Sequence, residues 1–274
     1  MRPPLPMLRR LGSLIGLMAL CLSVATEASE TPELKGIACF TTVQGDVRLS
    51  PDEGKAFRPE LHQVVPLDAS GLETGHDSFT AMALSNGLGV ALAPLSEAKV
   101  LRYRQNPFRT EKESFRYEPS VSELRIRLNR GTLAISCDHL SPLSEARIEL
   151  PYGNVRIHAA ACVIALDEAG IHITSYRGNL TYYYPGDAGR AFISSGQSVR
   201  ISEASAGIGE LAGQSGMEAL PEGWKQMSES AAFASKRVYF KSTGETAQQP
   251  AEAILVVRPG AYEKASPRPY RFKE

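Results

Sequence analysis

Alternation between apolar and polar residues is the feature that most constrains the fold of this chain. The run SELRIRL, Ser122 to Leu128, places three aliphatic side chains on one side and two arginines on the other. Successive side chains of a strand point to opposite faces of a sheet, so this period of two is typical of a half-buried strand. The same period recurs in short runs along the chain: DVRLS, ARIEL, NVRIHA, CVIAL, IHITSY, LTYYY, AFIS and SVRIS.

Glycine-containing pairs separate these runs at regular intervals. They are Asn86-Gly87, Arg130-Gly131, Tyr152-Gly153, Ala169-Gly170, Arg177-Gly178 and Ser195-Gly196. Glycine supplies the positive φ that tight turns and bulges require. Short strands at regular spacing predict an all-β sandwich, barrel or solenoid rather than an α/β enzyme. Six aliphatic side chains are expected to point into its core: Ile126, Leu128, Val155, Ile157, Ile173 and Leu180.

The first 28 residues have the pattern of a secretory signal peptide. Arginines at positions 2, 9 and 10 precede an apolar run, Leu11 to Val24, that ends in small residues. This run is shorter than the roughly 20 residues that cross a bilayer, so a membrane anchor is the weaker alternative. We therefore expect an exported protein of the periplasm or cell surface, with no membrane span after the leader is cleaved.

The net charge of the chain bears on the kind of partner it binds. Lysines and arginines number 30, as do aspartates and glutamates, and this zero net charge argues against a nucleic-acid or membrane-surface role.

Residues 206–274 are predicted to form a linker and a C-terminal extension, partly disordered or short-helical. Its segment WKQMSESAAFASKRVYFK predicts a helix, or a helix followed by a strand, with Trp224, Met227 and Phe233 able to pack on the domain.

The stretch LETGHDSFTAMALSNGLGVALAP raises the question of an active site. His76 and Asp77 are adjacent, but no third group accompanies them, and an aspartate at a turn usually caps the backbone. Gly87 and Gly89 are not followed by a helix, so their G-x-G is not a phosphate-binding loop. We predict two strands joined by a hairpin turn, with His76 and Asp77 in the turn that enters the first strand.

Three cysteines follow the predicted leader: Cys39, Cys137 and Cys162. Export permits disulfides, and Cys137 with Cys162 is the favoured pair if a bridge exists. Buried unpaired thiols, which behave as small hydrophobic groups, are the simpler expectation.

A zinc site is the strongest metal alternative, because Cys137-x-His139 and His158-x-x-x-Cys162 resemble zinc-ligand spacing. The strand period nevertheless places His158 and Cys137 on different faces of the sheet, where four ligands cannot meet one ion. The sequence has no G-x-S-x-G or H-E-x-x-H. We therefore predict no catalytic residues, no cofactor and no metal site, and keep a metal-binding enzyme that uses these residues as a second alternative.

The order of the glycine-punctuated segments resembles the FecR domain family. The chain has QGDVRLS, then VPLDASGLETGHDSFTAMALSNGLGVALAPLSEAKVLRY, then Gly131-Thr132-Leu133, IELPYGNVRI, GIHITSYRGNLTYYY and SSGQSVRI. The likeness covers residues 36–205, with a charged insertion at 104–121 that is expected to be a solvated loop or hairpin arm. Leu150-Pro151 and Ala160-Ala161 depart from the family pattern.

The resemblance implies a binding or signalling role. FecR regulators sense an outer-membrane transporter in the periplasm and control a sigma factor through a cytoplasmic helical segment. Only about ten residues precede the apolar run of this chain, so direct control of a sigma factor is not expected. The resemblance implies a free-standing exported binding or scaffold protein that recognises a protein partner, or alternatively an auxiliary component of transport-linked envelope signalling.

Overall fold

The structure is a computed structural model, which describes residues 33–107, 118–187, 189–202, 214–215, 220–242 and 251–255. The predicted signal peptide and most of the charged insertion lie outside these residues. The strands are β1 (Leu34–Lys35), β2 (Ile37–Gln44), β3 (Val47–Ser50), β4 (Val64–Pro66), β5 (Gly71–Thr74), β6 (Phe79–Leu84), β7 (Gly89–Leu92), β8 (Glu97–Gln105), β9 (Ser122–Ser136), β10 (Glu145–Leu150), β11 (Gly153–Asp167), β12 (Gly170–Tyr183), β13 (Arg190–Ile193), β14 (Ser198–Ile201), β15 (Gln214–Ser215), β16 (Val238–Ser242) and β17 (Ala251–Leu255), and helix α1 spans Glu222–Arg237.

Fifteen of these strands form one continuous sheet that folds over into two layers. The front layer runs β4-β2-β6-β7, continues through the second halves of β9 and β11 and the first part of β12, and ends at β14 and β15. The back layer runs β3-β5-β8, continues through the first halves of β9 and β11 with β10 between them, and ends at the last part of β12 and β13.

The two layers enclose the main hydrophobic core. Its members include Phe40, Met82, Ile135 and Ile164 from the front layer and Leu124 from the back layer, all buried. The six side chains predicted to point inward are buried members of the same core, so the expected strand register is confirmed. The all-β class is also confirmed. Of the three closures expected, the pairing is that of a sandwich. A solenoid stacks parallel strands, whereas only β9 with β10 pairs in parallel among the described strands, and the strand order is open, ending at β4 and β15 rather than closing into a barrel.

Two of the predicted turns are bends inside long strands. Gly131 lies within β9 and Gly178 lies within β12, each with a positive φ, +81° and +76°. At Gly131 β9 leaves its partners β8 and β10 and joins β7 and β11. A Cβ at Gly178 would lie 1.9 Å from the Ala159 carbonyl oxygen. The pattern of apolar runs separated by glycine is the same for a hairpin and for a bent strand, which is why the sequence interpretation was wrong here.

Helix α1 covers the outer face of the front layer. Its buried side chains include Trp224, Met227, Ala231 and Ala234, which pack on alanines and other small residues of β6, β7, β9 and β11. The Trp224 ring also lies edge-on to His172 of β12, with the ring centroids 4.7 Å apart. Burying a large apolar side chain such as Trp224 or Met227 stabilises by about 1.5–3 kcal/mol. The prediction of a helix followed by a strand in this segment is confirmed.

Gly89 permits the close approach of this helix. A Cβ at this position would lie 1.8 Å from the Ala231 carbonyl oxygen, which is far inside van der Waals contact. Gly87, two residues earlier, serves the hairpin turn with a φ of +86° and has open space around it. The G-x-G of the sequence therefore combines one turn glycine with one packing glycine.

We expect Gly89→Ala to undock helix α1 and lower the thermal stability markedly, because the added methyl group meets helix backbone rather than a movable side chain. Overpacking of this kind typically costs about 1–3 kcal/mol. Thermal melts, together with the fluorescence of Trp224, the single tryptophan of the chain, measure both effects. Gly87→Ala is the control for backbone strain: it adds the same methyl group in open space but at a φ of +86°, so it should lower the melting temperature through strain and leave the fluorescence unchanged. The same change in Trp224 fluorescence in both variants would show that the helix does not rest on Gly89.

Candidate functional site

A cluster of hydrogen-bonded polar side chains lies at one end of the two layers. We call it the polar cluster, and its members are Ser85, Asn86, Tyr103, Gln105, Glu118, Ser122 and Ser144. The turn between β6 and β7, the end of β8 and the start of β9 bring these residues together. All except Glu118 are buried, and Glu118 is half-buried. Buried polar groups of this kind are costly unless they are hydrogen-bonded.

Tyr103 is the centre of one half of the polar cluster. Its hydroxyl lies 2.9 Å from Ser85 Oγ and accepts a hydrogen bond of 3.0 Å from the Asn86 backbone N–H. Ser85 Oγ donates to Gln105 Oε1 at 2.7 Å. Because the serine proton is used in that bond, the tyrosine hydroxyl is the donor toward Ser85. The chain of donors and acceptors fixes the β6–β7 turn against the end of β8.

Glu118 is the centre of the other half. Its carboxylate accepts hydrogen bonds from Ser122 Oγ at 2.5 Å, from Ser144 Oγ at 2.7 Å and from the Ser141 backbone N–H at 2.8 Å. Ser122 Oγ in turn accepts from Asn86 Nδ2 at 3.0 Å, which joins the two halves. Glu118 lies near the end of the charged insertion 104–121, so its carboxylate fastens this end of the insertion to the sandwich.

Burial controls the ionisation of both central groups. Burial raises the pKa of Glu118 above its ordinary value of 4.5, against the lowering effect of its hydrogen bonds with the serines. Burial likewise raises the pKa of Tyr103, so its phenol stays neutral at physiological pH. The folded protein thus binds the Glu118 proton more tightly than the unfolded chain does. The stability that this proton contributes is fully present below pH 4.5 and is lost as the pH rises through the folded-state pKa.

A cleft of about 250 Å³ opens beside the polar cluster. Its lining is mostly polar and charged: Glu33, Arg104, Gln105, Asn106, Val121, Ser122, Glu123, Leu143 and Glu145. Gln105 and Ser122 belong to both the cleft and the cluster. The serine hydroxyls of the cluster are engaged with a carboxylate, an amide or a phenol. This arrangement is suited to positioning chain segments and polar groups.

We expect Glu118→Ala to lower the free energy of unfolding by about 1–3 kcal/mol, because two serine hydroxyls and one backbone N–H lose their acceptor. Glu118→Gln keeps an acceptor and removes the buried charge, so at pH 7 it should be closer to the wild type than Glu118→Ala is. Urea unfolding at pH 7 and pH 4 measures both variants. Identical destabilisation by alanine and glutamine at both pH values would contradict this role for the carboxylate.

His76 and Asp77 form the turn that the sequence predicts. Asp77 has a φ of +53°, and its carboxylate lies 2.8 Å from His76 Nδ1, with both side chains mostly exposed. The side chain that bonds to the backbone of this turn is Ser78: its hydroxyl donates to the His76 carbonyl oxygen and accepts from the Asp46 N–H. The turn interpretation is therefore confirmed, but the cap belongs to the serine rather than to the aspartate.

The cysteines and histidines of the zinc alternative lie in different environments. Cys137 and Cys162 are buried in the main core, whereas His139 and His158 are exposed. The Cys137 thiol lies 3.6 Å from the His158 backbone carbonyl oxygen rather than from its ring. Cys39, Cys137 and Cys162 are free thiols, so the structure does not contain the Cys137–Cys162 bridge. Within the described ranges, no three His, Cys, Asp or Glu side chains are grouped closely enough to hold a metal ion.

Burial raises the pKa of both core thiols, Cys137 and Cys162, to about 12. At pH 8 we therefore expect neither to react with a disulfide-exchange reagent in the folded protein, because the thiolate is the reactive form. Both should react once guanidinium unfolds the chain, and mass mapping of the labelled peptides identifies them. Rapid labelling of either thiol in the native state would contradict their place in the core.

β13 is an exposed sheet edge. Its hydrogen-bonded neighbour is β12, and no other strand pairs with it in the described part of the chain. The Phe192 side chain is 61% exposed, and the Arg190 guanidinium lies 5.5 Å from the centre of its ring. The Tyr184 N–H donates to the Gly189 carbonyl oxygen, so Tyr184 and Gly189 are a hydrogen-bonded pair. Hydrogen-bonded and non-hydrogen-bonded pairs alternate along antiparallel strands, which makes Arg190 and Phe192 members of non-hydrogen-bonded pairs. It follows that Arg190 and Phe192 direct their backbone N–H and C=O groups away from β12, toward the open edge.

Sequence reasoning missed the polar cluster and the β13 edge. Asn86 was interpreted only as a turn residue, although its side chain is buried and hydrogen-bonded. The period of two gives no signal in β8, because a β-bulge between Val100 and Arg102 puts the buried Tyr103 and Gln105 out of step with the buried Ala98 and Val100. The described helices include none that is long and apolar enough to cross a membrane.

Comparisons with known proteins give a limited result. No family model matches the chain, and no curated protein matches its sequence. Two crystal structures of a candidate anti-sigma factor from Parabacteroides distasonis are similar to the fold, with TM-scores of 0.39 and 0.38 and 10% identity. Each match covers 54% of this chain and 60% of the other, which is less than two thirds of that protein. Any function of this chain therefore has to follow from its own residues.

Proposed function

We propose that this chain is a non-catalytic, exported, FecR-like binding or scaffold protein of the periplasm or cell envelope, which recognises a protein partner by strand addition at β13. The observation that carries the proposal is the open backbone edge of Arg190 and Phe192 beside an exposed aromatic ring. An unpaired edge is a template for another strand, with main-chain hydrogen bonds for affinity and side chains for specificity.

Three other edges, β4, β1 and β3, fit a partner strand less well. β4 ends at Pro66, which has no N–H to donate, and β1 has only two residues. β3 is already bridged on its outer side, because Leu49 exchanges backbone hydrogen bonds with Phe57. β13 has four residues, no proline and no glycine. Strand addition at β13 would lengthen the back layer and leave the core undisturbed.

Two further features support a binding role. The polar cluster uses its hydroxyls in internal hydrogen bonds, and the core thiols are held protonated by burial. The order of segments resembles that of FecR domains, which supports a place in the envelope and, as the alternative, an auxiliary part in transport-linked signalling. Either role requires a protein partner, and β13 is the surface where we place it.

The test is site-specific photo-crosslinking in the producing cell. A photoreactive phenylalanine analogue at position 192 should give a discrete protein adduct, and the same analogue at Leu95, which is exposed elsewhere, should not. Arg190→Pro removes an outward N–H and should abolish the adduct, whereas Arg190→Ala keeps the N–H and should preserve it. Absence of an adduct at position 192, or an adduct that survives Arg190→Pro, would refute strand addition at β13.

A further inference from the structure

Arg190 and Phe192 are the outward-facing side chains of the β13 edge. Ile193 is buried in the main core and Ala191 packs against it, so strand alternation directs Arg190 and Phe192 to the outer face of the back layer. Both residues are exposed, and the Arg190 guanidinium lies 5.5 Å from the centre of the Phe192 ring. A strand added at β13 would therefore meet one cation and one aromatic ring on this face.

Arg190 differs from other arginines of the outer face in the partners that it has. Arg125 of β9, for example, forms an ion pair with Glu149 of β10. Arg190 lies opposite Tyr183 of β12 rather than a carboxylate, and no ion pair among the described side chains includes it. Its positive charge is therefore available to an acidic side chain that a partner brings to the edge.

The backbone of β13 determines where the side chains of an added strand would lie. Arg190 and Phe192 both direct their N–H and C=O groups to the open edge, so an antiparallel strand would form a hydrogen-bonded pair at each of them. Residues opposite each other in such pairs have Cβ atoms about 4.5–5.5 Å apart and interact on the same face. The antiparallel direction agrees with the rest of the sheet, where only β9 with β10 pairs in parallel among the described strands.

Each position of β13 favours one kind of side chain on the added strand. An acidic residue opposite Arg190 matches the unpaired guanidinium, and an aromatic residue opposite Phe192 forms a cross-strand aromatic pair. The residue between them lies opposite Ala191, on the side of the core, where an apolar side chain is favoured. An antiparallel strand meets Phe192 before Arg190, so the pattern from N to C terminus is aromatic, apolar, acidic.

We propose that β13 selects a partner segment with the sequence pattern aromatic–apolar–acidic, which adds to the sheet as an antiparallel strand. This inference rests on the strand addition proposed above and adds the chemistry of the segment that is recognised. A second copy of β13 does not supply this pattern, because the strand Arg190-Ala191-Phe192-Ile193 contains no acidic residue.

The test measures the binding of dye-labelled, end-capped peptides to the purified full chain by fluorescence anisotropy. The probe peptide is Thr-Val-Phe-Val-Glu-Val-Thr, and in the comparison peptide lysine replaces the glutamate. We expect the glutamate peptide to bind about fivefold more tightly, which corresponds to about 1 kcal/mol for one cross-strand pair. A third peptide, with the phenylalanine and the glutamate exchanged, should bind more weakly than the probe, because its order fits only a parallel strand.

Charge reversal in the protein tests whether Arg190 is the residue that reads the acidic side chain. Arg190→Glu should reverse the order, so that the lysine peptide binds more tightly than the glutamate peptide. Arg48→Glu is the matched control, because it makes the same charge change at an exposed position of β3, the strand at the other end of the back layer. It should leave the order of the peptides unchanged. Thermal melts of both variants establish that they are folded.

The outcomes separate this proposal from strand addition itself. Equal binding of the glutamate and lysine peptides, or a reversal by Arg48→Glu as well as by Arg190→Glu, would overturn the pattern and leave strand addition intact. Tighter binding of the exchanged peptide would overturn the antiparallel direction. Absence of binding by all three peptides would also overturn the pattern, and the photo-crosslink at position 192 then reports separately on whether β13 has a partner.

Discussion

The fold depends on three long strands that belong to both layers of the sandwich. β9, β11 and β12 each pair in the back layer over one part of their length and in the front layer over the other. A strand that changes layers must bend, and Gly131 and Gly178 supply the positive φ at such bends. Because the hydrogen-bonded ladder continues around them, the layers are held by backbone bonds as well as by the apolar core.

The bends also determine which side chains become neighbours outside the core. The front layer presents small residues outward, and Gly89 leaves room for the backbone of helix α1 at Ala231. The back layer presents charged residues outward in straight rows across the strands. One sheet therefore has a face covered by a helix and a face of charged side chains, among them Arg125, Arg147 and Arg156.

Burial of polar groups follows the same geometry. The turn between β6 and β7 reaches the end of the sandwich where β8 ends and β9 begins, so Asn86 and Tyr103 become buried and must bond to each other. Glu118 accepts hydrogen bonds from the hydroxyls of Ser122 and Ser144, and its burial beside them raises its pKa. These groups stabilise the base of the insertion.

The sequence by itself determined the all-β class, the inward register and the turn at His76 and Asp77. These follow from local rules, because alternation assigns each side chain to a face and glycine or a short polar residue marks a turn. Ile157 and Leu180 could thus be placed in the core from the sequence alone. Helix α1 was also foreseen, together with the strand that follows it.

Only the tertiary structure decided which local elements meet. The sequence around Gly131 is compatible with a hairpin and with a bent strand. The need for glycine at position 89 is apparent only from the contact with Ala231 of helix α1. The polar cluster joins residues far apart in the chain, such as Ser85, Tyr103 and Glu118, and no local pattern connects them. The alignment of Arg102, Arg125, Arg147 and Arg156 across β8, β9, β10 and β11 depends on the register of these four strands, because a shift of one residue in any of them would turn its arginine toward the core. Contacts between distant segments are set by strand pairing and packing, and the sequence contains these only through the whole fold.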